Sequence, residues 1–225
     1  MGQKVNPISF RLVTNKNWRS KWFSERDYAL LLAQDITLRK AIDAKLGRNA
    51  GVNHIEIERN PQEIVVNIHT AKPGIIIGRS GQGVIDLKNY IEKSLEKIVM
   101  PIVANLSAEK KKAITKKIKI NIIEIRNPEA NANLIAQTVA SQLEKRVAYR
   151  RAVKMAIEKA KQHREVKGIK INVAGRLGGA EIARGEKFLD GSIPLGDLRS
   201  NVDYAFTNAF TTYGTIGIKV WVYKK

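Results

Sequence analysis

The 225-residue sequence contains no cysteine, which excludes disulfide bonds and thiolate metal sites. It also lacks any apolar stretch approaching the ~20 residues of a membrane-spanning helix, and its start lacks the apolar core of a secretory signal. The first residues miss the myristoylation pattern because Asn6 stands where Ser or Thr is required. We therefore expect no membrane attachment and take the cytoplasm as the default compartment.

Acidic residues are scarce: 21 Asp and Glu stand against 40 Lys and Arg, giving a formal net charge of +19. An excess this large repels itself unless a polyanion neutralises it. Nucleic acid is the expected partner, and a merely solvated basic surface is the alternative. An anionic membrane would need an amphipathic or lipid anchor, and the sequence carries neither.

The residues and motifs of common enzymes are also sparse. The only histidines are His54, His69 and His163, and no His-Glu-x-x-His motif or Walker-type Gly-Lys-Ser/Thr occurs. Gly81-Gln82-Gly83 begins like a dinucleotide-binding motif but fails at Asp86, where a third glycine is needed. We expect the histidines to be surface or sheet-packed residues. We also expect that the protein binds no metal and no cofactor and catalyses no reaction. A metal-dependent nuclease is the weaker alternative.

Hydrophobic periodicity divides the chain into a tail and two domains, with an α+β fold overall. Residues 1–16 lack a period and predict a basic tail or simple disorder. Residues 17–127 give the order helix, two strands, helix pair and strand, with an exposed excursion near 97–117. Residues 128–225 predict a second α/β domain, in which a long helix from Glu129 to His163 covers a mixed sheet of three strands.

The sharpest local signal is the loop formed by Gly78, Arg79, Ser80 and Gly81, which lies between two helical segments. Two glycines let the backbone approach a sugar-phosphate chain, and the amides of the following helix N-terminus face the phosphates. This is the GXXG loop of a KH domain, which clamps about four nucleotides of single strand. An ordinary helix-loop-helix turn is the alternative. The helix before the strands resembles the type II, prokaryotic KH arrangement.

Two further basic elements lie in the second domain. Arg150, Arg151 and Lys154 fall on the side of the predicted helix opposite Ala148, Ala152, Met155 and Ala156. A solvated face with partners such as Glu158 is the alternative. Arg176 and Arg184 flank a glycine-rich turn, which suits close approach to an RNA backbone.

Three strings carry a family resemblance. Gly-Arg-Leu-Gly-Gly-Ala-Glu-Ile-Ala-Arg at 175–184, the ending from Thr211 to Trp221 and the opening Met1–Pro7 resemble the bacterial form of the ribosomal protein S-three family. The resemblance spans nearly the whole chain in the family's order. The excursion near 97–117 is longer than the family's usual connection.

The resemblance implies a structural protein of the small ribosomal subunit head, whose partners are ribosomal RNA, messenger RNA and neighbouring small-subunit proteins. It implies that Arg150, Arg151 and Lys154, matching the Arg-Arg-x-x-Lys motif, line the messenger RNA entrance and help to unwind structured messages without ATP. Expected ribosomal RNA contacts are Lys4, Arg11, Arg176 and Arg184. The GXXG loop would meet folded ribosomal RNA or solvent in such an assembly. A free KH chaperone or regulator is the alternative, and it would not need residues 128–225.

Overall fold

A computed structural model of the chain describes residues 4–60, 63–103 and 117–225. The described helices, in chain order, are α1 (Pro7–Phe10), α2 (Tyr28–Leu46), α3 (Pro73–Ile77), α4 (Gln82–Val103), α5 (Ala132–Glu144) and α6 (Tyr149–Gln162). The described strands are β1 (Ser20–Lys21), β2 (Val52–Arg59), β3 (Glu63–Thr70), β4 (Lys117–Glu124), β5 (Val166–Gly175), β6 (Arg184–Gly191), β7 (Asn201–Thr211) and β8 (Gly214–Lys224). Within the described ranges, no helix is both long enough and apolar enough to span a bilayer.

The chain forms two compact units: Arg19–Ile125 is one, and the residues up to Trp18 together with Arg126–Lys225 form the other. The expected domain boundaries, before residues 17 and 128, lie within two residues of these limits. The first 18 residues, however, belong to the same unit as the C-terminal half. Of the predicted excursion near 97–117, residues 104–116 lie outside the described part of the chain, and α4 extends to Val103.

The unit Arg19–Ile125 has the predicted order of a helix, two strands, two helices and a strand, preceded by the two-residue strand β1, which the sequence did not predict. Its sheet runs β1-β2-β3-β4, with β2 and β3 antiparallel and the outer pairs parallel. Strict alternation puts one apolar set of β2 and β3 side chains on a single face, where they are buried against α2 and α4. Each such Ile or Val contributes about 1.5–3 kcal/mol by leaving water. Polar side chains, including His54 and His69, occupy the opposite face.

A buried ion pair fastens α2 to β2 in this unit. Asp35 accepts hydrogen bonds from Arg59 Nη2 at 2.5 Å and Arg59 Nε at 2.9 Å, and from Trp22 Nε1 at 2.8 Å. Arg59 Nη1 also donates to Gln34 Oε1 at 2.9 Å. Because both carboxylate oxygens are satisfied, the burial of this charge is compensated.

The other unit has a sheet in the order β6-β5-β8-β7, with α5 and α6 packed on one face. The expected mixed sheet is corrected here, since every pairing is antiparallel. Strand β5 pairs with β6, and β7 pairs with β8. The two pairs are joined at the centre of the sheet, where β5 and β8 are also antiparallel. Strand β6 is the one that the sequence missed, because polar side chains such as Glu186 and Asp190 interrupt its apolar period.

The predicted single helix from Glu129 to His163 is two helices. The chain turns between them at Arg146, whose φ of 63° is left-handed and ends α5. No glycine or proline marks this break, so a periodic pattern alone cannot locate it. The turn lets both helices place alanine-rich faces on the sheet.

The predicted basic tail is folded along this same unit from residue 4 onward. Asn6 caps α1 by accepting a hydrogen bond from Ile8 N at 2.9 Å. The fully buried Arg11 guanidinium donates to the carbonyl oxygens of Pro7, Pro194, Leu195 and Asp197 at 2.7–3.2 Å. A positive charge in the N-terminal segment is therefore used to hold that segment to the protein.

Candidate nucleic-acid interface

The GXXG loop lies between α3 and α4, as the sequence predicts. Gly78, Arg79 and Ser80 are exposed, and residues Arg79–Gly81 form a single turn of 3-10 helix before α4 begins at Gln82. Gly78, Ser80 and Gly81 have φ values of 69°, 52° and 79°. These left-handed conformations favour glycine at both ends of the loop. The loop presents backbone amides and the Arg79 cation at a helix N-terminus, where the helix dipole favours an anion.

Gly83, one turn further on, fixes how closely α3 and α4 approach. A Cβ atom at Gly83 would lie 2.5 Å from the carbonyl oxygen of Ile76 and 2.9 Å from that of Ile77. A Cβ atom at Gly78 would in turn lie 3.1 Å from Gly83 N. At Gly81 the same atom would meet nothing within 4 Å, so space near that residue is open. Gly83 thus keeps α3 and α4 closely packed, whereas Gly81 leaves room for a ligand.

Apolar side chains flank the loop on both sides in sequence. Ile75 on α3 is 54% exposed and Ile85 on α4 is 53% exposed, while Ile76 between them is buried. Exposed isoleucines beside a backbone anion site offer apolar surface for the flat faces of bases. In the sequence, Ile75 belongs to the apolar triplet before the loop, and that pattern does not show which of the three isoleucines is exposed.

The predicted cationic helix face is present on α6. Arg150, Arg151 and Lys154 are all exposed, and the buried stripe of the helix consists of Ala152, Val153, Ala156, Ile157 and Ala160. Two of the residues expected on the packed face are exposed instead. Ala148 precedes the helix, and Met155 lies at the margin of the buried stripe with 37% exposure. Among the described residues, Arg151 and Lys154 form no ion pair, including with Glu158.

Arg150 differs from its two neighbours because it has an acidic partner. Its Nη2 donates to Glu186 Oε1 at 3.2 Å, and Tyr149 Oη donates to the same oxygen at 2.8 Å. These hydrogen bonds, the one from Arg150 first, lower the pKa of the Glu186 carboxyl. The Arg150 side chain remains 66% exposed. It can therefore exchange this weak surface contact for a phosphate.

Arg176 is exposed but shapes the glycine-rich turn itself. Its Nε donates to the carbonyl oxygen of Ala180 at 2.9 Å, and Nη1 reaches the carbonyl oxygen of Tyr213 at 3.4 Å. A Cβ atom at Gly179 would lie 3.2 Å from the Tyr213 ring, so close packing within the protein accounts for that glycine. Arg184 is exposed at the start of β6, opposite Gly175. Of these two arginines, Arg184 is the freer to contact RNA.

A groove that the sequence analysis did not predict lies on the sheet face opposite α5 and α6. It has a volume of about 650 Å³, and one wall is the N-terminal segment around Pro7. Within the described part of the chain, its charged lining residues are all lysines: Lys4, Lys170, Lys187 and Lys219. Lys4 therefore lines the groove together with the three strand lysines. The prediction that Arg11 contacts ribosomal RNA is corrected, because Arg11 is buried and its guanidinium donates to the protein's own carbonyl oxygens.

Aromatic rings are interleaved with these lysines. Lys170 Nζ lies 5.4 Å from the centre of the Trp221 ring, which in turn lies 5.3 Å from the Tyr204 ring. Burial, and then the charges of Lys4 and Lys187, lower the pKa of the Lys170 ammonium. Lysines crowded without an acid bind an anion favourably, and aromatic faces stack on bases. The groove thus combines the two contacts that unpaired nucleotides need.

Asn172 adds an unsatisfied polar atom to the same groove. It pairs across the sheet with both Lys187 and Lys219, and its Oδ1 is buried without a hydrogen-bond partner in the described structure. An unpaired buried acceptor costs about 1–3 kcal/mol. A ligand that donates a hydrogen bond, as base amino groups and ribose hydroxyls do, would remove this cost.

These features define a two-domain protein of the KH class with an appended α/β domain. Residues 37–130 match the family model of the KH domain, and residues 139–222 match that of the ribosomal protein S3 C-terminal domain. The chain is 50% identical to small ribosomal subunit protein uS3 of Magnetococcus marinus, covering 100% of this chain and 97% of that protein. It is 47% identical to uS3 of Rhodospirillum centenum, with coverages of 100% and 90%, and 47% identical to uS3c of Guillardia theta, with coverages of 99% and 95%.

The chain therefore belongs to the uS3 family of small ribosomal subunit proteins. The resemblance inferred from the three sequence strings is confirmed, as is the succession of a KH domain and the family's C-terminal domain.

Proposed function

We propose that this protein is a structural constituent of the small ribosomal subunit and binds RNA through three separate surfaces, two of them for ribosomal RNA and the third for messenger RNA. The observation that carries the proposal is the four-lysine groove, whose cations, aromatic faces and unpaired Asn172 acceptor fit unpaired nucleotides. Family membership supports the assembly, because the relatives carry the name of small-subunit proteins. The protein acts in translation as a fixed binding module, within the cytoplasmic ribosome, and not as an enzyme.

The GXXG loop from Gly78 to Gly81 is the second surface. Its exposed backbone amides and Arg79 would bind one or two phosphates, and the open space at Gly81 admits a sugar-phosphate chain. The exposed Ile75 and Ile85 would cover base faces next to those phosphates. Since the backbone supplies most donors here, this surface binds RNA with little dependence on sequence.

The third surface, on α6, is proposed to act on messenger RNA at the entrance of the small subunit. Arg150, Arg151 and Lys154 lie on one exposed face, and two of the three have no acidic partner among the described residues. Cations fixed on α6 would contact the phosphates of one strand as it enters and hold that strand away from the strand with which it pairs. Such assistance uses no nucleotide, so the lack of a Walker motif in the sequence is compatible with it.

Neighbouring small-subunit proteins would cover part of the remaining surface. Arg184, exposed at the start of β6, and Arg176, which holds the glycine-rich turn, are further candidates for ribosomal RNA contacts. We assign Arg184 a direct phosphate contact and Arg176 mainly the shape of the turn.

Sedimentation of a cell lysate through sucrose gradients at increasing salt tests this function. The protein should migrate with small subunits at moderate salt and be released only by strong salt, since release requires counterions to replace many phosphate contacts. Free protein at the top of the gradient at moderate salt would contradict the assignment and favour a free KH chaperone or regulator. A matched gradient after ribonuclease treatment separates binding to RNA from binding to proteins.

A further inference from the structure

We propose that His54, Glu56 and His69 form a binding site for a borderline divalent cation such as Zn²⁺ in the unit Arg19–Ile125, hereafter the KH unit. The site lies on the face of the β1-β2-β3-β4 sheet opposite the apolar core. His54 and Glu56 are two residues apart on β2, so their side chains share one face. His69 on β3 is the direct cross-strand partner of His54. The sheet therefore brings together three potential ligands that lie 15 positions apart or less in sequence but form no linear metal motif.

The distances between the ligand atoms support coordination. His54 Nε2 lies 3.5 Å from Glu56 Oε1, and His69 Nε2 lies 3.9 Å from Glu56 Oε2. The three ligand atoms all fall within 4.8 Å of one another. Neighbouring ligands of tetrahedral zinc are about 3.3 Å apart, given metal–ligand bonds of about 2.0–2.1 Å. Sub-ångström to ångström movements of these side chains would therefore close the site.

An unpaired nitrogen supplies a second, independent observation. His69 Nε2 is buried and accepts or donates no hydrogen bond in the described structure. The Glu56 carboxylate is too far away to satisfy it at 3.9 Å. A buried imidazole nitrogen without a partner is costly, and metal coordination is one of the few contacts that removes this cost.

The ring arrangement defines what binding must change. The His54 and His69 rings are stacked, with their centroids 4.1 Å apart and planes 12° apart. A metal lies in the plane of each ligating imidazole, so one ring must rotate out of the stack about its Cβ–Cγ bond. The side chains of the three ligands are 21–26% exposed, which leaves room for this rotation and for a water molecule in the fourth position.

Lys21 is the competing cation at this site. Its Nζ lies 3.7 Å from Glu56 Oε2 and 3.0 Å from Glu58 Oε1. When a metal coordinates Glu56, Lys21 still pairs with Glu58, so Lys21 is not left without an acidic partner. The two imidazoles favour Zn²⁺, Cu²⁺ or Ni²⁺ over Mg²⁺, which prefers oxygen ligands. The metal would join β2 to β3 within the KH unit.

Zinc titration of the full-length, RNA-free protein by isothermal titration calorimetry tests the proposal. We expect one Zn²⁺ per chain. Glu56→Gln and His69→Ala should each weaken zinc binding by at least about tenfold, because removing a residue that merely hydrogen-bonds to a metal ligand already costs that much affinity. His163→Ala is the matched control, because His163 pairs instead with Glu129 at 3.3 Å in the other unit. Lys21→Met should bind Zn²⁺ more tightly than wild type.

The visible absorption spectrum of bound Co²⁺ distinguishes metal coordination by these residues from a purely structural role. Wild type should show the intense visible absorption of low-symmetry Co²⁺ bound by nitrogen, and the variants at Glu56 and His69 should not. Equal zinc affinity in wild type and in the near-isosteric Glu56→Gln variant would overturn the proposal, as would equal competition by Mg²⁺. Should His69→Ala lose its circular dichroism, the folded Glu56→Gln and Lys21→Met variants decide the question.

Discussion

Replacing three lysines of the groove should reduce both the affinity for ribosomal RNA and its dependence on salt. Lys170, Lys187 and Lys219 lie on adjacent strands of one sheet face, and none of the acidic residues that the structure describes lines the groove. If each contacts one phosphate of an unpaired strand, each contributes about 0.7 to the slope of log K against log salt. The triple change to glutamine should therefore lower that slope by about 2.

The slope translates into a measurable difference in affinity. A fourfold rise in salt, from about 50 to 200 mM, should reduce the affinity of the wild type roughly 16-fold more than that of the variant, because the slope difference of about 2 applies to that fourfold ratio. Fluorescence anisotropy with labelled small-subunit ribosomal RNA measures both slopes. The fold should not lose stability, because burial, and then the charges of Lys4 and Lys187, lower the pKa of the Lys170 ammonium, and a neutral glutamine avoids both the cost of burying a charge and the repulsion.

A matched variant separates the groove from the general positive field. Lys40, Lys45 and Lys93 are exposed lysines of the KH unit outside the proposed surfaces, and changing them to glutamine removes the same formal charge. That control should keep most of the wild-type slope. If both triple variants lower the slope equally, the +19 charge acts as a diffuse field and the groove has no special role.

Three further variants test other parts of the account. Arg11→Met should destabilise the C-terminal unit by roughly 3–5 kcal/mol in urea unfolding, because four carbonyls lose a charged donor; an unchanged midpoint would mean that they are readily hydrated. Gly83→Ala should cost about 1–3 kcal/mol and weaken RNA binding by the KH unit, since its Cβ would lie 2.5 Å from the Ile76 carbonyl oxygen; wild-type thermal stability would refute the close approach. Arg151→Ala with Lys154→Ala should leave assembly intact but slow translation of structured messages, and normal rates on such messages in a reconstituted system would count against the entrance role.

The KH unit was largely predictable because its signals are local. Alternating isoleucines define β2 and β3, and Gly78 with Gly81 mark a turn whose left-handed φ values only glycine adopts freely. The bounds of α2 follow from its period and from Gly47, which ends it. Each of these features depends on neighbours in sequence, so a single chain suffices to find them.

The C-terminal unit was less predictable because tertiary contacts decide its details. Arg146 adopts a left-handed conformation without a glycine, and β6 forms on a weakly alternating sequence because β5 offers it a partner. The burial of Arg11 depends on carbonyls more than 180 residues away. Residues from six segments of the chain line the groove, so no linear motif could have identified it.

The His54–His69 pair also could not be predicted from the sequence as a cluster. The sequence analysis expected both residues to be sheet-packed or surface residues without a ligand role, because their linear spacing matches no metal motif. The register of β2 and β3 places them directly opposite each other, with Glu56 on the same face. Only strand pairing, which spacing does not encode, reveals the cluster.

A density map of the small ribosomal subunit that contains this chain tests the central claim most directly. We predict ribosomal RNA in the groove, with a base stacked on Trp221 and phosphates within hydrogen-bonding distance of Lys170 and Lys219, and the Arg150–Lys154 face of α6 directed at the path of messenger RNA. A groove that faces solvent or protein in a map of the intact subunit would contradict the account.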